Sequence, residues 1–202
     1  MRKIVQKKTI KNMVSTLKNG DYEDVGNYFV DSKEAINLFK IPQNVASLID
    51  ISEESKKEIR EIIKRMTKNL SYKINGLEKD ENNESTFVVN MDITTSDHSD
   101  MYKKLLQETF MLSIKSAIGT GNVSEEALNN AINKIKASLS EDKKIITTNV
   151  NVRIEKVDDK YKIVNSSELV NALTGNIAKV AVDLTDNVNG LIGNIGNLIK
   201  NK

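Results

Sequence analysis

Hydrophobic residues recur at helical spacing through the first third of the chain. The i, i+3, i+4, i+7 repeat over residues 7–19 predicts an amphipathic helix, and Gly20 supplies the left-handed residue that ends it. Two shorter helices are expected next, separated at Asp31, and Pro42 stops the second of them because it lacks an N–H. A longer helix opens at Ser52, where a capping side chain precedes two acids. Its apolar stripe consists of Ile59, Ile62, Ile63, Met66 and Leu70.

The period then changes to two, which is typical of strands. Residues 71–77 and 84–95 flank a turn-forming run and predict one antiparallel pair. Residues 144–157 and 161–164 predict a second pair, joined by a hairpin turn over residues 157–161, which include Asp158 and Asp159. The inward positions are expected to be Tyr72, Ile74, Gly76, Phe87, Val89, Met91, Ile93, Val150, Val152 and Ile154.

Helical periodicity returns twice more. Residues 97–140 predict a helical insertion between the strand pairs, and its first half is apolar on more than one side. Near the C-terminus a heptad-like stripe predicts one long helix. The stripe, a candidate interaction surface, comprises Leu169, Leu173, Ile177, Val180, Leu184, Val188, Leu191, Ile195 and Leu198.

Packing, rather than propensity, must hold this C-terminal helix. Each of its glycines, at 175, 190, 193 and 196, costs about 1 kcal/mol relative to alanine. The stripe can pack back on its own domain, or it can pair with a second copy or a partner. A membrane-surface helix is the least favoured alternative, because the polar face offers Asn and Gly rather than Lys.

These elements predict an α+β fold. A bent antiparallel sheet of about four strands packs on the N-terminal helices, because an apolar sheet face needs a cover. The expected units are residues 1–166, which include the insertion at 97–140, and a C-terminal amphipathic helix over 167–202.

Composition narrows the chemistry. The 202 residues include no cysteine and one histidine, which excludes disulfides, thiol nucleophiles and multi-histidine metal sites. The net charge is only +2, and arginine, whose planar fork reads bases, occurs at four positions. We therefore expect no nucleic-acid partner and no cofactor.

The distribution of charge is uneven. The first 18 residues carry six basic side chains and no acid. Such a run is typical of an ordinary solvated helix face, and the alternative interpretation is proximity to an anionic membrane or wall. It begins like the charged region of a signal peptide, but Gln6, Lys7 and Lys8 interrupt where an apolar stretch belongs. The pattern leaves open a cytoplasmic chain or one whose leader was removed.

Two segments carry a resemblance to a known family. Residues 9–25 are similar to the helix, Gly-Asp-aromatic, helix start of nuclear transport factor 2-like (cystatin-like) domains. Residues 158–164 resemble the late hairpin of that family, with Asp159 where glycine is usual. The version most similar occurs in uncharacterised extracytoplasmic lipoproteins of Gram-positive bacteria. The resemblance, over residues 7–170, implies a bent sheet wrapped around helices as a cone, and a location outside the cytoplasm.

Catalysis has one sequence candidate, the run Asp97-His98-Ser99-Asp100. A carboxylate beside an imidazole can orient a general base, but Asp and Ser before a helix are ordinary caps, and adjacent residues rarely face each other. Asn90 and Asp92 are expected to face solvent. We assign no catalytic, cofactor-binding or metal residue and expect a non-catalytic extracytoplasmic module that binds an unknown protein or a small apolar ligand. The alternatives are a small-molecule-binding or hydrolase-like enzyme that uses the cone interior and a cytoplasmic structural protein that oligomerises through its C-terminal helix.

Overall fold

The computed structural model describes residues 2–39, 53–81, 83, 85–104, 130, 133–134, 136–139, 144–177 and 179–180. The predicted α+β architecture is confirmed in these residues. Pro42 and Ser52, expected to end one helix and open the next, lie outside them. No helix of the described ranges is both long enough and apolar enough to cross a bilayer.

Helices and strands follow the predicted order. In chain order the elements are α1 (Arg2–Lys18), α2 (Tyr22–Val25), a 3-10 turn (Gly26–Tyr28), α3 (Ser32–Phe39), α4 (Glu53–Met66), β1 (Ser71–Lys79), β2 (Thr86–Ser96), β3 (Ile145–Val157), β4 (Lys160–Ile163) and α5 (Ser167–Leu173). Residues 99–104 and 136–139 of the insertion are also helical. Leu70, predicted as the last member of the α4 stripe, lies beyond the end of that helix but is buried.

The sheet is an antiparallel meander in the order β1-β2-β3-β4. Strands β2 and β3 form its centre and pair from Thr86 opposite Glu155 to Ser96 opposite Ile145. The β3–β4 hairpin is closed by two residues with positive φ, 45° at Asp158 and 63° at Asp159. Positive φ at both positions is the geometry that fits a two-residue hairpin to the twist of its strands, so the predicted turn is confirmed.

A bulge in β1 changes which of its side chains face the core. Ile74 pairs with Met91 but the next pair joins Gly76 to Asn90, so Asn75 is the extra residue. After the bulge the alternation shifts, and Leu77 packs against the core beside Ile74. The prediction that Gly76 faces inward is therefore wrong.

The main apolar core lies between the inner sheet face and the helices. α1 contributes Ile10, Met13, Val14 and Leu17, and α5 contributes Leu169, Ala172 and Leu173. The sheet contributes Val89, Met91, Ile93, Val150, Val152, Ile154 and Ile163. The inward positions predicted on β2 and β3 are confirmed, since all of them are buried.

The N-terminal helices are tied to the β4 edge of the sheet. The backbone N–H of Val30 donates to the carbonyl of Ile163 at 2.9 Å, beside a parallel bridge between Phe29 and Ile163. Asn165 spans the same junction, because its side chain accepts from the N–H of Asp31 and donates to its carbonyl. The carboxylate of Asp31 in turn accepts from the N–H of Glu34 at 2.9 Å and caps α3.

The C-terminal stripe is not carried by one unbroken helix. α5 ends at Leu173, and Gly175 and Asn176 follow with φ of 63° and 69° before helical residues resume at Ile177. Asn171 joins the two parts: its Oδ1 accepts from the N–H of Lys179 at 2.8 Å. Glycine is required at 175, since an added Cβ would lie 2.0 Å from the Ser96 carbonyl oxygen.

Candidate binding surface on the outer sheet face

The outer face of the sheet carries rows of polar side chains at its centre. The register places Thr94 opposite Thr147, Asp92 opposite Asn149 and Asn90 opposite Asn151. The bulged Asn75 of β1 lies beside Asn90, with 3.2 Å between its Nδ2 and the Oδ1 of Asn90. We call Asn75, Asn90, Asp92, Asn149 and Asn151 the amide face.

Two asparagines at the centre of the amide face form a reciprocal pair. Nδ2 of Asn90 donates to Oδ1 of Asn149 at 2.9 Å, and Nδ2 of Asn149 donates back to Oδ1 of Asn90 at 3.2 Å. Asn90 also donates to Oδ1 of Asn151 at 2.8 Å and accepts from Asn75. A carboxamide donates two hydrogen bonds and accepts two, so the amide of Asn90 is saturated by its neighbours.

The outer members of the amide face keep hydrogen-bonding capacity. In the part of the chain that the structure describes, Nδ2 of Asn151 donates to no protein group and Oδ1 of Asn75 accepts from none. Both side chains are exposed. The inner amides therefore fix the orientation of the outer ones, which present a donor on β3 and an acceptor on β1.

Asp92 is the only titratable member of the amide face. Its Oδ1 accepts from Nδ2 of Asn149 at 2.6 Å. Hydrogen bonds from Asn149 and Asn75, assisted by the charge of Lys73, hold the pKa of the Asp92 carboxyl below its usual range. Asp92 is thus ionised at neutral pH and is balanced by the facing Lys73 of β1.

The amide face conflicts with local strand preference. Asn and Asp are depleted in strands, yet they occupy the middle of the two longest strands of the sheet. The expectation that Asn90 and Asp92 face solvent is confirmed. Sequence reasoning did not find Asn149 and Asn151 as their partners, although the Asn-x-Asn and Asn-x-Asp spacings in β2 and β3 were the available signal.

The single histidine is built into the fold. His98 is 3% exposed, and its Nε2–H donates to the carbonyl of Met66 at the end of α4, with 3.1 Å between the two atoms. Its backbone N–H donates to the carbonyl of Gly175 at 2.9 Å. His98 therefore joins the end of β2 to α4 and to the turn after α5.

Asp97 caps the helical segment that follows it. Its Oδ1 accepts from the backbone N–H of Ser99 at 3.0 Å, so the turn-and-cap interpretation of this run is confirmed. Burial raises the pKa of the Asp97 carboxyl, but hydrogen bonds from Ser99 and Asn176 and the charge of Lys144 outweigh it, and the net pKa is lowered. The structure gives each of the two neighbours, Asp97 and His98, a separate structural partner.

The described members of the C-terminal stripe pack within this chain. Leu169 and Leu173 are each 1% exposed in the main core. Ile177 and Val180 pack on a second cluster formed by Ile62, Met101 and Tyr102. The remaining members, Leu184, Val188, Leu191, Ile195 and Leu198, lie outside the described residues.

Neither metal-ligating side chains nor similarity to known proteins points to a further site. Among the residues that the structure places, no group of three or more His, Asp or Glu side chains is arranged to hold a metal ion. Comparison with protein-family models, with curated proteins and with solved structures finds no match to this chain.

Proposed function

We propose that this chain is a nuclear transport factor 2-like, non-catalytic binding module that acts outside the cytoplasm, with the amide face as its contact surface. The observation that carries the proposal is the reciprocal Asn90–Asn149 pair at the centre of the two longest strands, in which the amide of Asn90 is saturated. The location follows from the resemblance of residues 9–25 and 158–164 to domains of extracytoplasmic lipoproteins.

A solvated sheet face does not by itself call for asparagine. Thr, Lys or Glu would be equally compatible with a solvent-exposed position. Thr would also have a higher strand propensity, a quantity that varies by about 1 kcal/mol among residue types. Asparagine instead supplies a rigid planar group with both donor and acceptor, fixed here by contacts across three strands. Departures from local preference concentrate at functional sites, and here the unused donor of Asn151 and the unused acceptor of Asn75 are available to a ligand.

The ligand class follows from charge and hydrogen-bonding character. Asp92 is balanced by Lys73, so the surface favours neither a polyanion nor a polycation. None of the five side chains of the amide face is aromatic, and a nucleobase would find no ring to stack on there. The outer members of the amide face offer an amide donor at Asn151 and an amide acceptor at Asn75. These groups match a neutral chain that carries both amides and hydroxyls. An N-acetylated glycan has this chemistry.

The inner side of the sheet supports binding rather than catalysis within a cone. In the described part of the chain, the space between α1, α5 and the inner sheet face is occupied mainly by apolar side chains, and the buried polar side chains of Gln6 and Thr95 have no hydrogen-bond partner there. Examples at its centre are Met13, Met91 and Leu169, none of which is more than 1% exposed. An enzyme that used this interior would need convergent polar groups there.

The test is a titration of the full chain with chitohexaose, an uncharged N-acetylated glycan, followed by NMR chemical-shift changes. We expect the perturbed amides to cluster on β1, β2 and β3 around the amide face. Asn151→Ala removes the amide donor of Asn151 and should weaken binding about tenfold, which corresponds to the loss of one well-made hydrogen bond.

Asn27→Ala provides the matched control, because Asn27 is an exposed asparagine in the 3-10 turn, outside the strands β1, β2 and β3 that carry the amide face. This variant should bind chitohexaose as the parent does. Absence of binding to the glycan, shifts confined to another face, or equal losses in both variants would each refute the proposal.

A further inference from the structure

The outer side of α1 is a cluster of unneutralised positive charge. Lys7, Lys8 and Lys11 are exposed, whereas Ile10 and Met13 on the opposite side are fully buried in the core. We call these three lysines the lysine face. The apolar side of α1 is held by the core, so the lysine face has a fixed position on the domain.

Within the described ranges, the lysine face lacks the ion pairs that some other cations of the protein make. Lys64 pairs with Glu61 and Arg153 with Asp80, each at 2.9 Å. Within the described ranges no carboxylate lies within 4.0 Å of the ammonium groups of the lysine face. The chain carries no acid at all before Asp21.

The placement of these lysines does not stabilise the helix. Lys7 and Lys11 are like charges at i, i+4, which repel each other on a helix surface. The helix dipole favours acids in the first turn of α1, and that turn holds none. The positive charge of the lysine face is therefore not offset within α1, and it would gain from an external anion.

We infer that the lysine face docks this domain on a bilayer surface rich in anionic phospholipids. At 100° per residue, Lys7, Lys8 and Lys11 fall within an arc of about 100° and span about 6 Å along the helix axis, so one flat surface can reach all three ammonium groups. Each lysine near an anionic bilayer strengthens association roughly fivefold, so three together give roughly a hundredfold. Attraction of this kind is screened by salt, with a range near 10 Å at 0.1 M.

The test is co-sedimentation of the full chain with vesicles. Vesicles of phosphatidylcholine containing about a third phosphatidylglycerol are compared with pure phosphatidylcholine vesicles, at low salt and at about 0.5 M salt. We expect binding only to the anionic vesicles, and release at high salt.

The decisive variant is Lys7→Gln/Lys8→Gln/Lys11→Gln, which should lose about a hundredfold in partition onto anionic vesicles. Glutamine matches lysine in helix propensity and removes the Lys7–Lys11 repulsion, so the unfolding midpoint should not fall. The matched control is Lys103→Gln/Lys104→Gln/Lys144→Gln, which removes the same charge from three other exposed lysines.

The control should keep most of the binding. Equal losses in both triple variants would show attraction by net charge alone and would overturn the inference. It would equally be overturned by undiminished binding of the first variant, or by binding to neutral vesicles. Chitohexaose binding depends on other residues, so either proposal can fail without the other.

Discussion

The glycines of this chain offer a graded test of how closely its elements approach one another. At Gly175 φ is 63°, and a Cβ built on the backbone would lie 2.0 Å from the carbonyl oxygen of Ser96. At Gly20 φ is 79°, and the corresponding distance to the carbonyl oxygen of Arg60 is 2.6 Å. Gly76 has no atom within 4 Å of its Cβ position.

Alanine at these positions should therefore give an ordered series of unfolding free energies. In Gly175→Ala the left-handed conformation costs about 1–2 kcal/mol and the overlap with backbone adds about 1–3 kcal/mol, for a total of about 2–5 kcal/mol. Gly20→Ala should lose somewhat less, because its contact is longer. Gly76→Ala should be neutral or gain about 0.5–1 kcal/mol, since glycine weakens a strand interior.

All three unfolding free energies can be measured by urea unfolding monitored by far-ultraviolet circular dichroism. They can be compared directly when the dependence of the free energy on urea concentration has the same slope in each variant. Gly76→Ala is the control, because it adds the same methyl group in open space. A loss below 0.5 kcal/mol in Gly175→Ala would mean that the turn after α5 does not dock on the end of β2. A loss in Gly76→Ala equal to that in Gly175→Ala would refute the whole argument from contact distance.

Three further predictions concern buried or capped polar groups. Gln6 is fully buried in α1, and its amide has no hydrogen-bond partner in the described ranges. Gln6→Met should therefore raise the unfolding free energy by about 1–3 kcal/mol. A decrease would show that the amide is hydrogen-bonded in solution. His98→Phe keeps an aromatic ring but removes the Nε2–H that donates to the carbonyl of Met66. It should lower the unfolding free energy, measured in urea, by about 1–3 kcal/mol. An unchanged unfolding midpoint would contradict this hydrogen bond. The lowered pKa of Asp97 stabilises the protein at neutral pH, and this contribution is lost as pH falls below about 4. Asp97→Asn keeps an acceptor for the N–H of Ser99 and should make the acid limb of the stability curve shallower; an identical limb would contradict the pKa shift.

The two proposed surfaces lie on different layers of the domain. α1 packs its apolar side on the inner face of the sheet, whereas the amide face is on the outer side. Docking of the lysine face on a bilayer therefore leaves the amide face open to a second ligand. This arrangement suits a module that holds a neutral polymer close to a membrane.

Periodicity in the sequence was sufficient to predict most of the secondary structure. Positions 10, 13, 14 and 17 repeat at helical spacing, and positions 87, 89, 91 and 93 alternate, because burial of one face imposes the period of each element. The Asp158-Asp159 turn was likewise readable, since a two-residue hairpin restricts which residues and spacings fit.

Contacts between elements distant along the chain were decided only in three dimensions. The bulge at Asn75 moved Leu77, and not Gly76, onto the core, because an extra residue reverses the alternation after it. The break at Gly175 arises where the chain approaches the end of β2, which no local pattern records. The amide pair joins Asn90 to Asn149 across 59 residues of sequence, and strand register alone brings those two side chains together. The sequence thus determined which faces are apolar, because burial acts on each residue separately. The tertiary structure determined which polar groups meet, because a hydrogen bond requires two groups at a defined distance.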